Sequence, residues 1–394
     1  MQLKNFFLLI FFLIVSCIIV GQERKKHPQK DITDIIEDVL QKGTSKVKNP
    51  SRPQFSVLPA AGYAMHTGWA GAVAANLAFY TDTLTPEKKV SNISTNFTYT
   101  EYSQAVLPLI ANIWSKGNRF NISIDNRFIK YPSFIYNTGK GSMTNSGYKV
   151  DYKGLKLHQT LFASLKKDLY LGLGYYYDGI WDLREMDPPA GVVTSFQTYG
   201  YEKKEAASGP VFRLLYDSRL NALNAQNGWY GNVTYRPVLQ SLGSGSNWQS
   251  LQIEARKYLH FPSGTRNILA LWSHNWFTLS GKPPFLMLPS NGWDDAYNSG
   301  RGYIQGRFRD RNMLYMESEY RFNISLNGLI GAVVYANLQN FSSSVFRGYQ
   351  GWITGGGAGL RIKVNKQSGT NICIDYGFGR DGSRGFAVNL GEVF

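Results

Sequence analysis

From Pro53 to the C-terminus no helical apolar period of any length survives. Apolar and polar residues alternate instead with period two, and Gly, Asn, Asp and Pro cut the runs at short intervals. In 92–100, Ile93, Thr95, Phe97 and Tyr99 share one face and Asn92, Ser94, Asn96, Thr98 and Thr100 the other. Phe120, Ile122 and Ile124 oppose Asn121, Ser123 and Asp125, while Leu251, Ile253 and Ala255 oppose Gln252, Glu254 and Arg256. Between 314 and 324, Met316, Ser318, Tyr320, Phe322 and Ile324 oppose Glu317, Glu319, Arg321 and Asn323. Charge on one face and apolar bulk on the other is the pattern of a strand with lipid outside and water inside.

A soluble sandwich alternates as well, so number and spacing must decide. Segments start near Phe55, Gly68, Ser91, Gln104, Arg119, Tyr148, Leu169, Gly209, Gly228, Gln249, Asn267, Arg311, Gly328, Ile353, Asn371 and Gly385. The even count suits a closed antiparallel barrel, and the spacing leaves room for strands of roughly 9–11 residues with alternating short turns and long loops. Closure is a physical requirement, because an open strand edge in hydrocarbon leaves N–H and C=O groups unsatisfied. The expectation is an all-β fold: a 16-stranded antiparallel transmembrane β-barrel over 53–394, with long loops near 134–147, 184–208 and 281–310. Only 18% of the residues are charged, against 25 Tyr, 23 Phe and 40 Gly. A mean hydropathy of −0.26 and the lack of a long apolar run beyond the N-terminus argue against membrane helices.

Residues 1–21 read as a signal peptide, with Lys4 ahead of an apolar stretch over 6–20 and a mature start at Gln22; Ile14-Val15-Ser16-Cys17 is also a loose lipobox. Cleavage leaves Cys373 without a disulfide partner, and it reads as a small apolar strand residue. Residues 22–52 form a periplasmic segment that is polar apart from 31–40, where Ile32, Ile35, Ile36, Val39 and Leu40 recur at helical spacing. Asp31 or Thr33 caps this short N-terminal amphipathic helix and Gly43 stops it; it is a packing helix, or a small plug or partner handle on the periplasmic side. The net charge of +15 divides into +4 for residues 1–52 and +11, thinly spread, for the rest. In an exported chain that excess belongs to loops, lumen and lipid headgroups, so no nucleic-acid partner is expected.

The most informative segment is the loop running through Ser299-Gly300-Arg301-Gly302-Tyr303-Ile304-Gln305-Gly306-Arg307-Phe308-Arg309-Asp310 into a strand with Glu319-Tyr320-Arg321-Phe322. It resembles the Omp85 superfamily, the BamA/TamA-like and bacterial surface antigen barrels. In these proteins the loop between strands 11 and 12 folds into the lumen and carries an Arg-Gly-Tyr/Phe motif. The resemblance makes Arg301, Gly302 and Tyr303 the lumen loop motif. A guanidinium in a partly dry barrel needs a carboxylate, and Glu317 and Glu319, on the polar face of strand 12, are the candidate partners. A second Arg-Gly-Tyr, at 347–349, lacks that context and reads as a hairpin element.

Two further stretches resemble the same superfamily, Tyr216-Asp217-Ser218-Arg219-Leu220-Asn221 with Asn227-Gly228-Trp229-Tyr230, and the C-terminus from Asp375 to Phe394. The resemblance implies an assembly signal made of Phe386, Val388, Leu390 and the terminal Phe394, read by the barrel-assembly machinery; Phe394 also suits an interfacial aromatic girdle. The chain departs from the family pattern in two ways. Residues 22–52 are too short for the periplasmic POTRA domains of assembly factors, and strand 13 reads Tyr335-Ala336-Asn337 where an Asp is frequent.

Enzyme signatures are poor. The five histidines show no metal-ligand spacing and no Gly-x-Ser-x-Gly elbow occurs, so the expectation is no enzyme, no metal and no cofactor. The run Gly355-Gly356-Gly357-Ala358-Gly359 suggests a bend or close packing within a strand. The expected role is a barrel-only Omp85-like protein in the cell outer membrane that assists protein or lipid insertion or translocation. Pro59 and Gly62 would weaken a seam between the first and last strands. Its partners would be outer-membrane lipid, the assembly machinery for its own insertion, and a client protein or lipid. The alternative is a passive porin for small solutes.

Overall fold

The computed structural model describes residues 28–32, 34–35, 53–82, 89–136, 138, 147–186, 188, 191, 193–345, 348, 351–366 and 368–394. The alternating segments pair in chain order as antiparallel strands: β1 (Gln54–Ala64), β2 (Gly68–Phe79), β3 (Ser91–Thr100), β4 (Ala105–Trp114), β5 (Phe120–Lys130), β6 (Tyr148–Lys166), β7 (Leu169–Met186) and β8 (Glu205–Asp217). They continue as β9 (Gly228–Val238), β10 (Trp248–His260), β11 (Ile268–Gly281), β12 (Asn312–Asn323), β13 (Ile330–Ser342), β14 (Ile353–Asn365), β15 (Thr370–Phe378) and β16 (Arg384–Leu390). A short continuation of β5, Ser133–Ile135, pairs with the same neighbour, β6. Pairing of β16 with β1 closes the ring into a 16-stranded barrel.

Alternation sets which side chains meet lipid. Phe97, Leu161 and Leu173 point outward and are more than half exposed, whereas Tyr315, Glu317 and Glu319 on β12 are almost wholly buried inside. β1 begins and β16 ends at the same rim. The connections at the opposite rim include the long segments 136–147, 187–204 and 282–311, which marks that rim as extracellular and the termini as periplasmic. The apolar band and closed ladder are those of an outer-membrane barrel.

Of the helix expected over 31–40, the described residues cover only the first turn. There Asp31 and Asp34 accept each other's backbone N–H at 2.9 Å, and the Ile35 N–H reaches the Asp31 carbonyl. The turn is fixed to the periplasmic rim, with Lys30 N–H donating to the Asn327 carbonyl at 3.1 Å and Lys366 N–H to the Asp31 carboxylate at 2.9 Å. The signal stretch and most of 22–52 lie outside the described residues, as do Arg347 and Tyr349 of the second tripeptide. One complete α-helix is described, α1 (Ser195–Tyr199) in the β7–β8 connection, started by a Thr194 capping box.

Candidate functional site: an inward loop and a lateral seam

The connection between β11 and β12, 282–311, folds back on itself and into the barrel. Asn291 organises it, donating its backbone N–H to the Phe308 carbonyl and its side-chain amide to the Ile304 carbonyl at 3.0 Å, while its carbonyl accepts from Gly306 N–H. A single turn at Phe285–Met287 buries Phe285 against Phe196 and Tyr199 of α1. The loop thus spans the lumen between two walls. On one wall Arg127 of β5 donates to the Asp295 carbonyl at 2.7 Å and lies over the Tyr297 ring, and the Tyr131 hydroxyl donates to Gln305.

On the other wall the tip docks on β12–β15. Arg301, 9% exposed, pairs with Glu317 and Glu319 and, at 3.0 Å, with Asp375 of β15. Its guanidinium sits 3.5 Å from the centre of the Tyr335 ring, and its carbonyl accepts from Asn337 at 2.9 Å. Tyr335 and Asn337 of β13 therefore hold the loop tip by a ring face and an amide. The Tyr315 hydroxyl donates to Glu317, a further bond that keeps this carboxylate satisfied in a dry interior.

Gly302 takes φ +96°, and a Cβ there would come 2.5 Å from the Phe378 carbonyl. Tyr303 completes the latch: its hydroxyl donates to the Thr354 carbonyl and accepts from Arg380 N–H at 2.7 Å, and Ser383 donates to the Gly302 carbonyl. The glycine run of β14 now has a cause. A Cβ on Gly355 would lie 2.9 Å from the Arg301 carbonyl, and one on Gly359 would overlap the Asp375 carboxylate, so the wall is stripped of side chains where the loop approaches it.

Sequence reasoning singled out Glu317 and Glu319 but missed Asp375, Arg361 and Glu392. Arg361 joins Asp375 at 2.6 Å to Glu392 at 2.8 Å, and Arg321 bonds Glu319 at 2.6 Å. Inward alternation on β14 and β15 was the available signal. Three guanidiniums therefore face four carboxylates in one continuous cluster, linking the loop tip to the C-terminal tail.

That tail differs from the expected terminal strand. β16 stops at Leu390; Phe386 and Leu390 face lipid, each more than half exposed, and Val388 is part-buried at the seam. Gly391, at φ +92°, then turns the chain into the lumen. Phe394 is 4% exposed and stacks on Trp272 at 5.2 Å, with Arg321 donating to its carbonyl. It is neither a lipid-facing strand residue nor a girdle aromatic, because burial among aromatic rings and the Arg321 bond hold it inside.

The inward turn leaves the seam short. β1 is matched along its whole length to β2, from Gln54 opposite Ala78 to Ala64 opposite Gly68, but to β16 through Tyr63 opposite Val388 alone. Continuing that register sets Ala61 against Leu390, so residues 54–60 run past the end of β16. Gln54, Phe55, Ser56, Val57 and Pro59 of this overhang are exposed.

Similar barrels occur among solved structures. BamA from Haemophilus ducreyi lacking POTRA domains 1–3 matches with a TM-score of 0.57 and 14% identity over 86% of this chain and 70% of that one. CdiB from Acinetobacter baumannii (0.54, 13%, 86% of this chain) and CdiB from Escherichia coli (0.55, 12%, 88% of this chain) match similarly, and this chain covers 60% and 63% of their lengths. No family model and no curated protein matches the sequence. At such identities the likeness is one of fold: the chain shares with these proteins the closed 16-stranded β-barrel of the outer membrane.

Proposed function

We propose that this barrel assists the insertion or translocation of protein or lipid at the outer membrane, with the β1–β16 seam as its lateral opening and the Arg301 loop as a fixed inner wall. The single matched pair between Tyr63 and Val388 carries the proposal. Backbone N–H and C=O groups along 54–60 have no strand beside them on the β16 side, and in hydrocarbon each unmet group costs several kcal/mol. An edge of that kind recruits an extended segment by strand addition. Pro59 removes one N–H from it, which limits permanent pairing. The likeness to BamA and CdiB barrels supports the same general role.

A covalent tether tests this. Tyr63→Cys with Val388→Cys, in a Cys373→Ser background, would join the only matched residues of the seam. Cells carrying the oxidised protein as their sole copy should show the same changes in outer-membrane protein and lipid content as cells depleted of it, and a reductant should reverse them. Full activity with the seam locked would rule the lateral route out. A porin would behave differently: tethering would leave solute uptake and single-channel conductance untouched. With the loop across the lumen we expect low conductance that rises in Arg301→Ala; a large, steady conductance indifferent to that substitution would remove the inner-wall role.

A further inference from the structure

A groove of about 1070 Å³ crosses the outer wall of the barrel from β9 to β15. We propose that it binds one anionic phospholipid, with the phosphate at Lys257 and an acyl chain laid along the groove. This inference does not depend on the seam.

Alternation places the groove on the lipid side. Each strand from β10 to β14 lines it with three consecutive residues, as in Ala255-Arg256-Lys257, Leu271-Trp272-Ser273 and Met316-Glu317-Ser318. The middle residue points into the lumen, where Trp272 and Glu317 are at most 3% exposed, so its backbone forms the floor. Its two neighbours point to lipid and form the sides. Register lines the floor up, with Arg256 opposite Trp272, Trp272 opposite Glu317, Glu317 opposite Asn337 and Asn337 opposite Gly355. Ala255, Ser273, Ser318, Ala336 and Gly356 hollow the wall because their outward side chains are small or missing. Leu271, Met316, Leu338 and Phe378 stand beside them, each at least 40% exposed.

The groove runs through the thickness of the membrane. Trp229 lies at the periplasmic start of β9 and Phe378 at the extracellular end of β15, so the row climbs as it crosses the tilted strands. From Lys257 on β10 to Gly356 on β14 is four interstrand steps, about 19 Å at about 4.8 Å each. That exceeds half of a hydrocarbon core of about 30 Å, the share of one leaflet. A chain anchored at Lys257 therefore has a channel for its whole length.

Charge selects the occupant. Lys257 projects from the lipid face with Nζ 4.4 Å from the centre of the Trp229 ring, and no carboxylate among the described residues pairs with it. Its inward neighbour Arg256 is bonded to Glu254 at 2.6 Å, so the lumen side of this wall is balanced and the lipid side is not. A cation on the lipid face is costly, and near the water boundary an anionic headgroup offsets that cost. Trp229 sits where interfacial aromatics hold the headgroup level. At the extracellular mouth Arg380 and Asp381 cancel in net charge, which leaves the periplasmic end as the anion-seeking one. An apolar protein surface would cover Lys257 without a counter-charge, whereas a phospholipid brings phosphate and chain together.

The test uses the purified full-length barrel in neutral detergent, titrated with phosphatidylglycerol or with phosphatidylcholine of the same chains, and bound lipid is counted by native mass spectrometry. One phosphatidylglycerol per barrel should survive collisional activation that strips the rest. Phosphatidylcholine should bind about fivefold less tightly, the effect of one basic group on an anionic lipid. Lys257→Gln should erase that preference, and Ala336→Phe, which fills the groove midway, should abolish retention of either lipid. Leu173→Phe, on the lipid face of β7, should change nothing. Heat-modifiable migration verifies folding; should Ala336→Phe not fold, Ser318→Leu obstructs the same row. Equal retention of the two lipids, or phosphatidylglycerol retained with the groove filled, would overturn the proposal. So would a barrel dimer that excludes lipid and is lost in Ala336→Phe, since the groove would then be an interface between copies.

Discussion

The two ends of the ladder are built on opposite terms. Along β12–β15 each strand is paired on both sides, and five charged side chains of the inner face join Arg301 of the loop and Glu392 of the tail in one cluster, among them Glu319 and Asp375, each at most 1% exposed. At β1–β16 one residue pair closes the ring and the first strand overhangs its neighbour. Taking charges out of water is expensive, and the cluster is tolerable only because each carboxylate meets a guanidinium in good geometry. Such an arrangement has one way to be satisfied and resists displacement. The seam is held by a ladder contact, with no side-chain bond across it among the described residues.

Removing Arg301 should give the largest effect. Arg301→Ala leaves Glu317 without a cation and removes one of the cations of Glu319 and Asp375, which keep Arg321 and Arg361, a loss of about 3–5 kcal/mol for a broken buried pair, read as a lower temperature for the heat-modifiable gel transition. Glu392→Gln should cost less, about 1–3 kcal/mol for one charge-assisted bond, because its amide can keep the bond from Asn371 at 2.6 Å while the charged contact to Arg361 is lost. Its distinctive readout is release of the tail, seen as faster trimming of Phe394 by carboxypeptidase. If both variants melted like the unaltered barrel, the ion cluster would not be the stiff side of the comparison.

Much of this was legible beforehand. Period-two alternation located all sixteen strands, because a wall with lipid on one side and a polar interior on the other writes its faces directly into the sequence. Glu317 and Glu319 could be named since they share a strand face just downstream of Arg301. Asp375 could not, as it meets Arg301 only after the barrel has closed, 74 residues along the chain. The fate of Phe394 was hidden for a related reason: a left-handed turn at Gly391 takes the tail out of the ladder, and nothing in the alternation of Phe386, Val388 and Leu390 records where the strand stops. The shortness of the seam follows from that turn and from register, which single-strand patterns leave open.

Strengthening the weak side should have a modest effect. Pro59→Val restores a ladder donor and adds a β-branched side chain to β1, worth under about 1 kcal/mol in stability. If the open edge is where a client pairs, the same change should slow turnover of clients more than it raises the melting temperature. A stability gain as large as the loss in Arg301→Ala would mean that the seam, not the cluster, governs the barrel.

The smallest effect should come from the tether of the N-terminal turn at the periplasmic rim, where Lys366 Nζ bonds the Asp34 carboxylate. That bond, the chief cause, holds the Asp34 carboxyl below its ordinary range. A depressed carboxyl pKa means stabilisation that is present above the unfolded value of about 3.9 and is lost as pH falls through the lower folded value. The pair is largely open to solvent, so screening keeps its worth under about 1 kcal/mol. Hydrogen exchange at Ile35, whose N–H donates to Asp31, should therefore be unchanged between pH 7 and pH 5 once the intrinsic rate is corrected, and faster near pH 3. Asp34→Asn should show the acid-state behaviour at every pH, while strong salt at pH 7 should reproduce part of it. An N-terminal turn that stays protected in Asp34→Asn would be held by the Lys366 N–H bond to Asp31 and the Lys30 N–H bond to Asn327, and the attachment of the periplasmic segment would then owe nothing to the Lys366–Asp34 ion pair.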